Sequence, residues 1–127
     1  REYYKKAMDI PGAPDIAKRL YANAAFKTMD IKTAWETWLE VYETAKDERV
    51  KKIASNHLYN IKATVDIRGL RSVLEKYKAR YGRYPDRLSD IVTAGLLPFI
   101  PKDYDQEDYV YDPKTGDVKT AVIPWKR

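Results

Sequence analysis

Apolar residues recur at helical spacing through the front two thirds of the chain. Ile16, Ala17, Leu20, Tyr21, Ala24 and Ala25 fall on one face, and Lys27-Thr28-Met29-Asp30 interrupts the pattern. A second face follows, made of Ile31, Ala34, Trp35, Trp38, Leu39 and Tyr42. Steps of three and four residues place such side chains on one stripe of an α-helix, so this stretch predicts a helix, a short turn and a helix. Asp30 is placed to cap the second helix, because its carboxylate can accept an otherwise unpaired amide of the first turn.

Ahead of this pair, residues 2 to 8 predict the last turns of a helix that stops at Asp9-Ile10-Pro11-Gly12, where proline removes a helical donor and glycine accepts a positive φ. The next helix starts near Pro14, with Asp15 favourably set against the helix dipole. Opening in mid-helix, the chain reads as a piece of a longer protein.

Asp47 is the expected cap of a third helix, with Val50, Ile53, Ala54, His57, Leu58 and Ile61 down one side. A turn is expected near Thr64 to Asp66. A fourth helix then runs from about Ile67 to Tyr81, with Ile67, Leu70, Val73, Leu74, Tyr77 and Tyr81 as its apolar face. No proline lies between Asp47 and Gly82, so one uninterrupted helix is the alternative. The broken reading, with helices over 47–62 and 67–81, is the one adopted.

Beyond Gly82 the pattern changes. Pro85 and Asp86 open a short helix whose Leu88, Ile91 and Val92 face inward before Gly95 ends it. Pro98 and Pro101 exclude regular structure until Tyr109-Val110-Tyr111 and Val118-Lys119-Thr120-Ala121-Val122. These runs flank Asp112-Pro113-Lys114-Thr115-Gly116-Asp117, a turn sequence, and together they predict a small β-hairpin. The division expected is a helical region over 1–81 and a small α/β cap over 82–127 packed on the last helix.

Two resemblances sit on this pattern. Glu2-Tyr3-Tyr4-Lys5-Lys6-Ala7-Met8 lies 34 residues before Glu36-Thr37-Trp38-Leu39-Glu40-Val41-Tyr42 and sets Tyr4 opposite Trp38. A 34-residue period of helical hairpins resembles the tetratricopeptide repeat over residues 2–45, in degenerate form to about 81. Ala34 and Trp38 stand at the repeat's small and aromatic positions, while Met29 replaces its usual turn glycine. The resemblance implies a mainly α fold of antiparallel hairpins. Stacked hairpins leave a concave surface lined by first helices, which makes Lys18, Asn23 and Lys27 groove candidates, with Trp35 and Tyr42 the aromatic residues expected outside the core. The exposed apolar side of Tyr3, Tyr4 and Met8 would favour association between copies.

The second resemblance covers about 70–120. Leu74-Glu75-Lys76-Tyr77, Tyr81-Gly82-Arg83-Tyr84-Pro85, Gly95-Leu96-Leu97, Ile100-Pro101-Lys102-Asp103 and Tyr109-Val110-Tyr111-Asp112 resemble the C-terminal part of type II secretion pseudopilins and related type IV pilin-like domains. It implies a helix leading through a turn and a short helix to β structure. It also implies a periplasmic or envelope-associated setting, with the cytoplasm left open, and a calcium site in the acidic region. The hydrophobic N-terminal helix by which pilins polymerise is replaced here by the repeat hairpins.

Composition narrows the chemistry. The chain has 127 residues, no cysteine, one histidine, and 24 basic against 19 acidic side chains, a formal charge of +5. Absent cysteine excludes disulfides and thiolate chemistry. No apolar run approaches the roughly 20 residues of a membrane span. The mixed charges describe a solvated surface with a mild preference for acidic partners.

Asp103, Asp105, Glu107 and Asp108 are the candidate calcium ligands, since carboxylates in a loop suit a hard cation, though the order is not that of an EF-hand and its glycine is missing. His57 lies on an apolar helix face and is expected to be packed. Ser55, Ser72 and Ser89 offer no triad with it. Arg80, Arg83 and Arg87 with Tyr81 and Tyr84 form the one nucleic-acid-like patch, in which arginine would meet phosphate and tyrosine would stack on bases. The function expected is a non-catalytic protein-interaction or scaffolding module of a cell-envelope or secretion assembly. A nucleic-acid-binding module using Arg80 to Arg87 is the alternative.

Overall fold

The computed structural model describes residues 30–127. Among them the protein is mainly helical, with one small two-stranded antiparallel sheet. The elements in order are α1 (Ile31–Thr44), α2 (Glu48–Tyr81), α3 (Asp90–Thr93), β1 (Val110–Asp112), β2 (Asp117–Lys119) and a final 3₁₀ turn, Pro124–Lys126. The chain divides into two compact units, residues 1–61 and 62–127.

In the described part of the first unit, Asp30 caps α1 as its sequence predicts, its carboxylate accepting from the Thr33 amide at 3.3 Å. Ala34, Thr37, Trp38 and Val41 are the buried side of α1, a stripe at spacing three and four. The helix closes at Ala45, and Asp47 starts α2, its Oδ1 accepting from the Arg49 amide at 2.8 Å. That bond holds the Asp47 carboxyl below its ordinary range. Trp38 stacks on His57, with ring centroids 3.8 Å apart and planes 5° from parallel. Since the two rings sit seven residues before Ala45 and ten after Asp47, the chain must double back between them. Ala54, Leu58, Tyr59 and Ile61 are buried on α2.

The turn expected near Thr64 to Asp66 does not occur. α2 runs without interruption for 34 residues, from Glu48 to Tyr81. With no proline or helix-stopping pair in this stretch, nothing local ends it. Thr64, Val65 and Asp66 keep helical amides satisfied, which a break would expose for no compensating bond. The uninterrupted alternative is correct.

The second unit packs around the C-terminal half of α2. Leu70, Val73, Leu74 and Tyr77 of α2 form one core with Ile91 of α3, Tyr109 and Val118, and Leu88, Val92, Leu97 and Tyr111 pack at its edge. Full burial of each aliphatic chain contributes about 1.5–3 kcal/mol. Tyr81 departs from the expected face: it is exposed, its ring tilted against that of Tyr77, because the helix ends there at Gly82. Gly82 and Gly95 take positive φ where helices stop, as their sequence positions predict. The hairpin pairs Val110 with Lys119, Tyr111 with Val118 and Asp112 with Asp117. Its register turns Val118 inward between two exposed neighbours.

Candidate functional site

Lys18, Asn23 and Lys27, along with Tyr3, Tyr4 and Met8, lie outside the described residues. Of the remaining predicted binding residues, Trp35 is half-buried on α1 and Tyr42 is 40% exposed. Trp38 is buried, which agrees with a structural part for the central ring of the helix. Its indole Nε1 has no hydrogen-bond partner among the described residues, where stacking on His57 and packing hold the ring. His57, half-buried beneath it, is a packed histidine.

The acidic loop does not gather its carboxylates. Asp103 is buried, and its Oδ1 accepts from the amides of Asp105 and Glu107 at 2.9 and 2.8 Å. These bonds fold 103–107 into a tight turn, which the Gln106 amide closes on the Asp103 carbonyl. Asp105 instead turns to Arg127, accepting a two-pronged contact at 2.8 and 2.6 Å. Asp108 pairs with Lys102 at 3.0 Å, and this contact raises the lysine's pKa. Among the described residues no three carboxylate, histidine or cysteine groups are set to share a metal ion.

The basic and aromatic patch is partly spent on the fold. Arg83 pairs with Asp86 at 3.2 Å, and Tyr84 donates to Glu75 at 2.6 Å, a bond that raises the tyrosine's pKa. Arg80 lies over the exposed Tyr81 ring, 5.4 Å from its centre, and Lys78 over Tyr84 at 4.6 Å. Exposed cation–π pairs of this kind contribute about 0.5–1 kcal/mol.

Two features escaped the pattern of the sequence. Asp66 is a hub: one of its oxygens accepts from Lys62 Nζ and from the Tyr109 hydroxyl, both at 2.6 Å, and the same ammonium donates to the Lys102 carbonyl. A residue assigned to a turn thus ties α2 to the loop before β1. The second is an open groove of about 360 Å³ with Val65, Gly69, Ser72 and Val73 of α2 on one wall and Leu97, Pro98, Phe99 and Pro101 on the other. Val65 and Phe99 are 47% and 68% exposed. Gly69 stands in the helix interior, where glycine costs about 1 kcal/mol relative to alanine. A methyl at its position would meet no atom within 4 Å, so the packing of this chain does not require the glycine.

No protein family, no curated protein and no solved structure matches the chain. No helix among the described residues is long and apolar enough to cross a membrane.

Proposed function

We propose that this protein is a non-catalytic interaction or scaffolding module. Its front half would be built from hairpins of tetratricopeptide type, and its rear half would be a cap similar to the C-terminal part of pseudopilins. The observation that carries the reading is the reversal at Ala45 to Asp47, which lays Trp38 on His57 and buries Ala34, Val41, Ala54 and Leu58. Helices that bury alanine beside large rings come close together, and a stack of them offers a long surface to a partner. Tyr42, exposed on α1, and the sequence-assigned Lys18, Asn23 and Lys27 are the residues assigned to partner contact. In the rear half, a long helix, a positive-φ glycine, a short helix and a hairpin follow in the order the pseudopilin resemblance implies. That order supports an envelope setting and keeps a calcium site in the acidic region within the proposal. Crosslinking of the full chain in cells of its source, with and without Tyr42→Ala and charge reversal at Lys18 and Lys27, tests the assignment. Loss of a specific crosslinked protein supports it, and an unchanged crosslinking pattern counts against it.

Nucleic-acid binding is the second reading, favoured by the Arg80–Tyr81 and Lys78–Tyr84 pairs. Fluorescence anisotropy with a generic oligonucleotide at two salt concentrations separates the two, because phosphate contacts weaken steeply as salt rises. Absence of salt-sensitive binding removes this reading.

A further inference from the structure

We propose that the open cavity between α2 and the hairpin turn binds a neutral pyranose sugar. The cavity measures about 540 Å³ and is lined by Arg71 and Glu75 of α2, Tyr84 of the turn after it, and Thr115, Gly116 and Asp117 of the hairpin. That volume lies within the roughly 300–1,000 Å³ in which small ligands are held. All six residues belong to the second compact unit.

The class of ligand follows from what the walls leave unused. Each carboxylate is fixed through one oxygen: Glu75 Oε1 accepts from the Tyr84 hydroxyl at 2.6 Å, and Asp117 Oδ1 accepts from Arg71 Nη2 at 2.8 Å. The Thr115 hydroxyl oxygen accepts from the Asp117 amide at 3.2 Å. The second oxygen of each carboxylate, the remaining N–H groups of Arg71 and the hydroxyl proton of Thr115 have no partner among the described residues. Acceptors and donors therefore stand together around one opening. A sugar hydroxyl both donates and accepts, so a ring that carries several of them meets both kinds. An anion would face two carboxylates, and a simple cation would face the guanidinium, so the lining suits neither. The anchoring bonds hold these groups in place before binding, which favours a rigid ring over a flexible polyol. The Tyr84 ring supplies an apolar surface for the sugar's C–H groups.

Titration of the ¹⁵N-labelled full chain, followed by amide resonances, tests this. The probes are the methyl glycosides of glucose, galactose, mannose and N-acetylglucosamine, with sorbitol, inorganic phosphate and n-butylammonium as comparisons, each to about 50 mM, a range suited to a few hydrogen bonds made in open water. The expected result is that at least one glycoside shifts the amides of Thr115, Gly116 and Asp117, with a dissociation constant of about 1–20 mM. Arg71→Ala should weaken that binding at least fivefold, and Asp117→Asn, which keeps the side chain's size, at least threefold. Both side chains are more than half exposed, at 59% and 55%, so resonances away from the cavity should stay in place. No shift with any glycoside, or shifts that both variants retain, overturns the proposal. Sorbitol binding as tightly as the best glycoside, or phosphate or butylammonium acting where no glycoside does, overturns it as well, because the cavity would then select flexibility or charge instead of a sugar ring.

Discussion

Gly116 lies directly beneath the ring of Tyr84, so close that a methyl on its α-carbon would stand 2.6 Å from Cε1. Its backbone is also left-handed, at φ +73°, at the end of the hairpin turn. Both constraints point to glycine alone. The ring in turn is held by its hydroxyl on Glu75 of α2, so the hairpin tip, the turn after α2 and the helix meet at one residue. Gly116→Ala is expected to cost about 2 kcal/mol or more, from strained backbone and overpacking combined. Urea denaturation measures it, and a loss under about 0.5 kcal/mol would show that the ring moves aside freely.

Asp66 and Tyr109 should be energetically coupled. The carboxylate is largely buried and accepts a hydrogen bond from the Tyr109 hydroxyl at 2.6 Å, which Asp66→Ala removes. A double-mutant cycle with Tyr109→Phe is expected to return a coupling of about 1 kcal/mol, the usual scale for a hydrogen bond to a charged group that is not fully dry. Additive losses would indicate that water replaces the bond without penalty.

Alkaline pH should loosen the cap through Tyr111. Burial, with Asp112 next in effect, pushes its pKa from the usual 10 to about 12, and its hydroxyl donates to the Pro85 carbonyl at 2.6 Å. The folded state favours the neutral phenol. The stability this brings is therefore whole below pH 10 and is lost as pH rises from about 10 through about 12. Tyrosinate absorbance should lose a late-ionising component in Tyr111→Phe, and the variant should lose less stability across that window than the parent.

The continuity of α2 makes Val65 a sharp probe. It is 47% exposed, so Val65→Ala should change stability by less than about 0.5 kcal/mol. Val65→Pro removes a helical donor and clashes with the preceding turn, and is expected to cost about 3 kcal/mol or more with a drop in helical circular dichroism. Equal tolerance of both would mean that the helix is already broken there.

Periodicity and punctuation made much of the described fold legible. Asp30 and Asp47 as caps, Gly82 and Gly95 as stops, and the hairpin about Asp112 to Gly116 are local chemistry, and local chemistry is written in adjacent residues. The turn expected at Thr64 to Asp66 falls in a stretch of α2 whose own side chains call for no break. The Asp66 hub and the groove at Gly69 join positions separated by some 30 to 43 residues, so no window of sequence displays them. The acidic run points to a cation site because its charges are close in sequence, and the sequence does not show their partners. In space Asp103 serves amides, while Asp105 and Asp108 face different cations.

The interaction reading is tested most directly by crosslinking and capture of the full chain in its native cells, read by quantitative mass spectrometry before and after nuclease treatment. The account predicts a protein partner that survives nuclease and falls at least fivefold in Tyr42→Ala combined with charge reversal at Lys18 and Lys27. Recovery that vanishes with nuclease, or that is indifferent to those substitutions, would contradict it.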